Sequence, residues 1–542
     1  MTQSISLLPP RATGVSNSVN VVWFKRDLRV TDHAPLVEAC AHGPVLPLYV
    51  YEPSLIAQPD VSAQHVAFIN ECLQTLEADL NAMGLDLITR VCEIVDALSA
   101  IKLRVGNFNL WSHEETGNGA TYERDKRVAA WCRSNGVVWH ESPSGAVVRR
   151  LKDRDRWSSI WMQRMKNAPL DAPAHATLAT MAVTALDSHG IVAVNRLPVN
   201  GHDKPLRQRG GRTVALADLH SFFNERGQHY RFEMSSPLSA ADACSRISTH
   251  LAYGTLSIRE VVQAVWTQRA KLLAVNEHER EPGWLASLKS FEGRLHWHCH
   301  FIQKLERDPG IEFTNLHRAY AGLREDNYNA ALQTAWRNGV TGLPMIDACM
   351  RMLAATGWIN FRMRAMLVSF SSYHLWQHWR EPALHLAREF LDYEPGIHYP
   401  QVQMQSGTTG INTVRMYNPV KQARDQDPEG AFVRRWIPAL ARVPTDFIFE
   451  PWRMPDNLQS EYQCVLGRDY PLPVIDVVAA AEHARSTMWV KRKGNEFRRE
   501  AQAIFETHGS RNPAREGVKA RKTGGVRQLR KVEIDAKQAS LF

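Results

Sequence analysis

The chain has 542 residues, a net charge of +9, sixteen tryptophans and eight cysteines, so more than one domain and a large core are expected. The cysteines form no C-x-x-C pair, which argues against a disulfide framework, a thiolate-held metal or an iron–sulfur site and points to a reducing, cytoplasmic setting. No apolar run is long enough to span a bilayer, and the first twenty residues lack a basic-then-apolar leader, so neither a membrane nor a secretory route is expected. Thirteen Lys/Arg against four Glu lie between Lys491 and Lys531, while residues 1–490 carry only +1. The basic character belongs to the C-terminal end.

Residues 1–18 are polar and irregular. Apolar, β-rich runs at 20–24, 45–51, 85–91, 108–112 and 136–140 alternate with helical patterns at 35–41, 63–83, 95–104 and 120–134. That alternation predicts an open parallel α/β sheet over 19–140. No G-x-G-x-x-G follows the first strand. The HEETGNG turn at 113–119 follows the fourth, where open sheets keep ligands, but a plain polar loop is the favoured reading. Residues 141–215 read as a linker. Its basic runs, RRLKDRDRW at 149–157 and RQRGGR at 207–212, are read as charged surface able to meet phosphates. From 216 to 508 the pattern is nearly all helical, and 509–542 is a basic, Gly-rich tail expected to be disordered.

Ser257 and Glu260 have capping-box spacing. Ser245-Arg246-Ile247-Ser248 offers hydroxyls, backbone N–H groups and a cation, which suits a phosphate cradle. His296 and His300 share a helical face, with His298 pointing elsewhere and no third ligand in view, so no metal is assigned. Asp347 and Arg351, four apart, suggest a helical pair. Arg362 and Arg364 lie among Phe361, Met363, Met366 and Leu367, where they are costly to bury without an anion; Asp392 and Glu394 are the nearby candidates.

Several of these stretches, SRISTHLAYGTLSIREV, GWINFRMR, Asp392-Tyr393-Glu394, YNPV…DPEGAFVRRWIPAL and VVWFKRDLRVTDH, resemble the photolyase/cryptochrome family in order and spacing from about residue 19 to 490. The resemblance implies an α/β domain linked to an all-helical domain that holds bent FAD. It implies that Cys244, Ser245, Arg246, Ile247 and Ser248 lie at the FAD phosphates, with Tyr230 near the preceding aromatic. Phe291, Arg294, Leu295, Trp297 and His298 fall on the helix running from flavin to substrate, Trp297 being the dimer-stacking position. Arg364 and Asp392 match the ion pair beside the flavin ring, Glu394 the carboxylate that accepts from the ring N–H, and His398 the residue facing N5; Tyr393 and Asn360 join this set. Trp379 matches the middle member of the tryptophan relay.

The departures are Arg294 for an acid, His298 for an arginine, Asn360 one position early, Ala365 for a histidine, and Val402 and Asp326 for tryptophans. Two activities remain open: light-driven repair of pyrimidine dimers in DNA, and blue-light signalling without repair. A second, antenna chromophore is left unidentified.

Overall fold

The computed structural model describes residues 18–179 and 186–509. The expected N-terminal segment and basic tail lie almost wholly outside the described residues. Five strands form: β1 (Val19–Phe24), β2 (Val45–Tyr51), β3 (Ile88–Val91), β4 (Phe108–His113) and β5 (Val138–Ser142). They build one parallel sheet in the order β3-β2-β1-β4-β5. β2 is buried throughout and β1 nearly so; a sheet covered on both faces has no solvated side to alternate with, hence the unbroken apolar runs. The third run starts too early in the sequence reading. Leu85 and Leu87 are buried, but pairing with β2 begins only at Ile88.

The sheet order reverses between β1 and β4, which brings the loops after these two strands together. The loop after β1 bolts the sheet to the helical half. Arg26 donates from Nε to the Ala252 carbonyl (2.8 Å) and from Nη2 to that of Tyr393 (2.7 Å). Arg29 reaches the Gly254 carbonyl (2.9 Å), and Asp32 accepts from the Ser257 hydroxyl (2.5 Å) and pairs with Arg259 (2.9 Å). Gly254 has φ +68, and a Cβ there would meet the Arg26 carbonyl oxygen at 2.3 Å, so only glycine fits this seam. The capping box of Ser257 and Glu260 starts the helix Ile258–Ala274 as expected.

One arginine of each basic run turns inward, while Arg150, Lys152, Arg156 and Arg209 stay exposed as charged surface. Arg207 is buried and paired with Glu71 and Asp203, and Gly210 lies so close to the helix Ala63–Ala82 that a Cβ would meet the Phe68 carbonyl oxygen at 2.5 Å. Arg154 is also buried, beside the fully buried Trp157. Glu71 and His300, drawn from distant parts of the chain, help to partner these cations, which a local charge count does not register.

From Arg212 to His508 the described chain is helical. The helices Trp284–Arg307 and Pro395–Ser406 run against each other, and their contact is close enough that a Cβ on Gly396 would meet the Ile302 Cα at 2.7 Å. Asp347 and Arg351 form no ion pair. Asp347 accepts from the Thr341 and Gly342 amides (2.8 and 3.0 Å) and the Tyr470 hydroxyl (2.6 Å), whereas Arg351 Nε reaches the Gly339 carbonyl (3.1 Å). The turn's orphan backbone groups outcompete the neighbouring charge.

Candidate active site

The helix Phe361–Ser369 follows Gly357, whose left-handed φ of +69 ends the helix Pro344–Thr356. It presents Arg364 to Asp392. The guanidinium donates from Nη1 and Nη2 to the two carboxylate oxygens at 2.9 and 3.0 Å, from Nε to the Ile359 carbonyl at 2.7 Å, and lies 4.2 Å from the Phe390 ring centroid. Burial pushes the Asp392 carboxyl up, but Arg364, with the Ser248 hydroxyl assisting, holds it below the usual range. The pair borders a chamber lined also by Phe361, Ala365, Glu394, His398 and Val402. Glu394 is drawn towards Arg26 (3.3 Å), yet burial still raises its pKa.

His398 donates from Nε2 to the Ala383 carbonyl (2.9 Å), and burial pushes its pKa down to about 4. The neutral ring therefore keeps Nδ1 as its acceptor. Tyr393 also reaches this chamber, but its hydroxyl donates to Asp60 (2.6 Å) in the α/β half.

Beside the chamber runs the segment from Cys244 to Ser248. Arg226 shapes it by donating to the Asp242 and Cys244 carbonyls (2.7 and 2.6 Å). Arg246 adopts φ +62, its guanidinium 4.1 Å from the Trp358 ring centroid. Ser245 and Ile247 are buried, and Tyr230, Phe291 and Leu295 pack behind Ile247 in one aromatic-rich cluster. Asn360 differs from its expected place. Its amide donates to the Met234 and Ser235 carbonyls (3.2 and 2.8 Å), and Phe361 instead lines the chamber. Arg294 lies 6.0 Å from the Phe361 ring centroid, on the chamber side of the long helix.

Along that helix the residues around Trp297 separate into three directions. Trp297 lines a second space together with Met404 and Gln405, and Gln405 also lines the Arg364 chamber, so the two spaces share a wall. His298, one residue on and about 100° around the helix, does not join it. It faces Arg26 and the cavity of about 450 Å³ between the halves, where burial and then the Arg26 charge push its pKa down to about 4. His296 packs edge-on against Trp157 and Trp161, both at 5.0 Å. His300 accepts from Arg154 at Nδ1. The i, i+4 histidines are thus committed to an aromatic wall and a guanidinium. Trp379 is wholly buried and donates to Asn315 (2.7 Å). Val402 lies in the chamber wall, where the relay pattern has a tryptophan.

One cluster escaped the sequence reading. Asp27 Oδ2 accepts from His33 Nε2 (3.0 Å) and His113 Nδ1 (2.6 Å) at the meeting of the β1 and β4 loops. These groups lie close enough to hold an ion. His33 Nδ1, however, accepts from the Leu36 amide (3.1 Å), which places the His33 proton at Nε2, on Asp27. The HEETGNG turn is correspondingly no plain loop: Glu115 accepts from Gly117 N (2.7 Å) and Arg124 (2.5 Å), and Asn118 caps the helix Gly119–Asn135. The signal was present in the density of His, Glu and Asn after a buried strand, but its partner, Asp27, lies 86 residues away.

The chamber fits a flavin cofactor. Gln401 Oε1, in the chamber wall, and Arg246 Nε, whose charge acts on Asp392, are buried polar atoms without hydrogen-bond partners near an ion pair set in apolar walls, as a site built for a large polar ligand requires.

Two family models match the chain: "DNA photolyase" over residues 20–152 and "FAD binding domain of DNA photolyase" over residues 291–490. The chain is 28% identical to cryptochrome DASH of Gloeobacter violaceus over 507 residues, covering 89% of this chain and 99% of that one. It is 27% identical to the deoxyribodipyrimidine photo-lyase of Halobacterium salinarum, covering 88% and 100%. In fold it is similar to a class III photolyase of Agrobacterium tumefaciens (TM-score 0.75, 23% identity, 89% and 99% covered) and to a Synechocystis cryptochrome (TM-score 0.75, 23% identity, 88% and 100% covered). With FAD as the cofactor of its helical half, the chain belongs to the photolyase/cryptochrome superfamily.

Proposed function

We propose that the chain is a light-driven DNA repair enzyme that splits ultraviolet pyrimidine dimers. The observation that carries this reading is the shared wall between the two spaces: Gln405 lines both the Arg364–Asp392 chamber and the space beneath Trp297. Reduced FAD, when bound, supplies an electron after absorbing blue light. The residues of the chain do the rest. Cys244 to Ser248 offer the phosphate cradle, and Arg364 and Asp392 orient the ring. Neutral His398 withholds a proton, since its Nε2–H is spent on a backbone carbonyl. Trp297 offers a stacking face to an extruded base, and a π-face is tolerant of base identity. Arg294, 6.0 Å from the Phe361 ring of the chamber wall, is offered to the developing negative charge. Trp379 is offered as the buried ring through which the cofactor is recharged.

Purified protein with reduced FAD, illuminated with an oligonucleotide carrying either a cyclobutane dimer or a (6-4) product, should restore one of them. Restoration of neither refutes the repair reading. A second reading, a blue-light receptor, draws on one observation. The helix Asn495–His508 is docked by Phe497 on His317 (ring centroids 4.0 Å), and its last turn reaches the Trp297 space. Light-driven release of that helix without repair is the outcome that favours it.

A further inference from the structure

Residues 510–542, which lie outside the described ones, carry nine Lys/Arg against three Asp/Glu. A segment of that charge with few apolar residues cannot bury a core of its own. Within it, Leu541 and Phe542 are the one pair of adjacent large apolar residues, and Phe542 is the one aromatic. Gln538 stands three residues before Leu541, with only the small Ala539 and Ser540 between them. A leucine and an aromatic side by side are anchors for an apolar cleft on another protein. The Gln538 amide, donor and acceptor at once, sets the direction and register in which they enter. Gln-x-Ser-Leu-Phe is the kind of peptide that fits the cleft of bacterial-type sliding clamps, the protein rings that encircle duplex DNA and hold enzymes to it.

The fold sets where this segment starts. The helix Asn495–His508 is fastened to the helical half: Phe497 stacks on His317 (ring centroids 4.0 Å), and Glu500 accepts from the Arg318 amide (2.9 Å) and pairs with its guanidinium (3.2 Å). Arg492, just before the helix, donates to the Asn412 carbonyl (3.1 Å). Gly509, just after it, lines the space beneath Trp297, where the proposed function places DNA. Twenty-nine residues lead from Gly509 to Gln538, a reach of at most about 100 Å, or about 30 base pairs at ~3.4 Å each. A ring threaded on the same duplex lies within that reach, and the cations of the segment favour the same polyanion. We propose that residues 538–542 are a docking peptide for a sliding clamp, which holds the chain on DNA beside its own contact with the duplex. The cleft takes Leu541 and Phe542, and Gln538 bonds at its rim. The placement of DNA on the Trp297 face rests on the function proposed above; the chemistry of the peptide does not.

The test is titration of the full-length, FAD-loaded protein with a purified bacterial sliding clamp, without DNA and at a salt concentration that screens the cations of the segment. Saturable binding is expected. Leu541→Ala combined with Phe542→Ala should weaken it at least about a hundredfold. Gln538→Ala should weaken it about tenfold, and Leu529→Ala, in the same segment but outside the peptide, should leave it unchanged. None of these positions belongs to the cofactor chamber, so FAD occupancy should be the same in each. Absence of saturable binding overturns the proposal, as does equal affinity in the double variant. So does a double variant whose thermal midpoint changes with no clamp present, since that result places Leu541 and Phe542 on the chain's own surface. If the clamp is bound while neither lesion is restored, the docking peptide stands and the repair reading falls. If lesions are restored and the clamp is not bound, the reverse holds.

Discussion

The cavity between the halves and the space beneath Trp297 lie on different faces of one helix and are built on opposite principles. The first is crowded with both signs of charge, and its groups are tied to one another: Arg26 to Tyr393 and Glu394, Asp27 to two histidines, Asp32 to Ser257 and Arg259. The second collects cations and an unpartnered N–H with no carboxylate in its lining. Saturated charge of mixed sign fixes two parts of a protein together. In the second, the buried imidazole nitrogens His300 Nε2 and His508 Nδ1 stay without hydrogen-bond partners. The difference is one of satisfaction rather than of residue type, since arginine and histidine serve in both.

The largest expected effect comes from unsaturating a saturated pair. Asp392→Ala leaves Arg364 without its carboxylate, which costs about 3–5 kcal/mol for a buried pair and should strip FAD from the protein. Flavin absorbance per polypeptide and the thermal midpoint measure both, and full FAD retention would show that the pair does not border the ring. Next, Arg26→Met removes the seam's contacts with the Ala252 and Tyr393 carbonyls and with Glu394. We expect a loss of about 2–3 kcal/mol, charge-assisted hydrogen bonds being the strong ones, together with weaker FAD retention although Arg26 lies in the α/β half. Unchanged FAD affinity would break the link drawn between seam and chamber.

The smallest effect is read by pH. Burial, joined by Arg26 at His298, pushes His65, His298 and His398 from 6.5 down to about 4. These rings stay neutral in the fold and protonate in the unfolded chain, so their contribution is complete above pH 6.5 and is lost as pH falls through 4. Thermal midpoints should decline across that window. Replacing His65 with Gln should flatten the decline, and an unaltered slope would mean that this ring is not held neutral.

Much of the fold was legible because it depends on local pattern. Buried parallel strands announce themselves as apolar runs, and the Ser257–Glu260 box announces a helix start. Arg364 was legible because a cation inside an apolar helix demands a partner, and Asp392 lay within reach. What stayed hidden was direction and distant company. Helical spacing puts His298 near Trp297 in sequence but cannot say that Arg26 waits opposite it. RQRGGR reads as surface until Glu71 and the close helix are seen, and Asp27 means little without His113. The one-position shift of Asn360 was legible, but not its partners, the carbonyls of Met234 and Ser235 far upstream.

Arg26 couples events that are otherwise separate. It grips the backbone beside Asp392 and the side chain of Glu394 from the other half of the molecule, so closing the seam and retaining the cofactor become two views of one equilibrium. By reciprocity, whatever tightens one tightens the other by the same factor. FAD then acts as a ligand of the α/β half as well, at a distance, and the α/β half serves as part of the cofactor's lock.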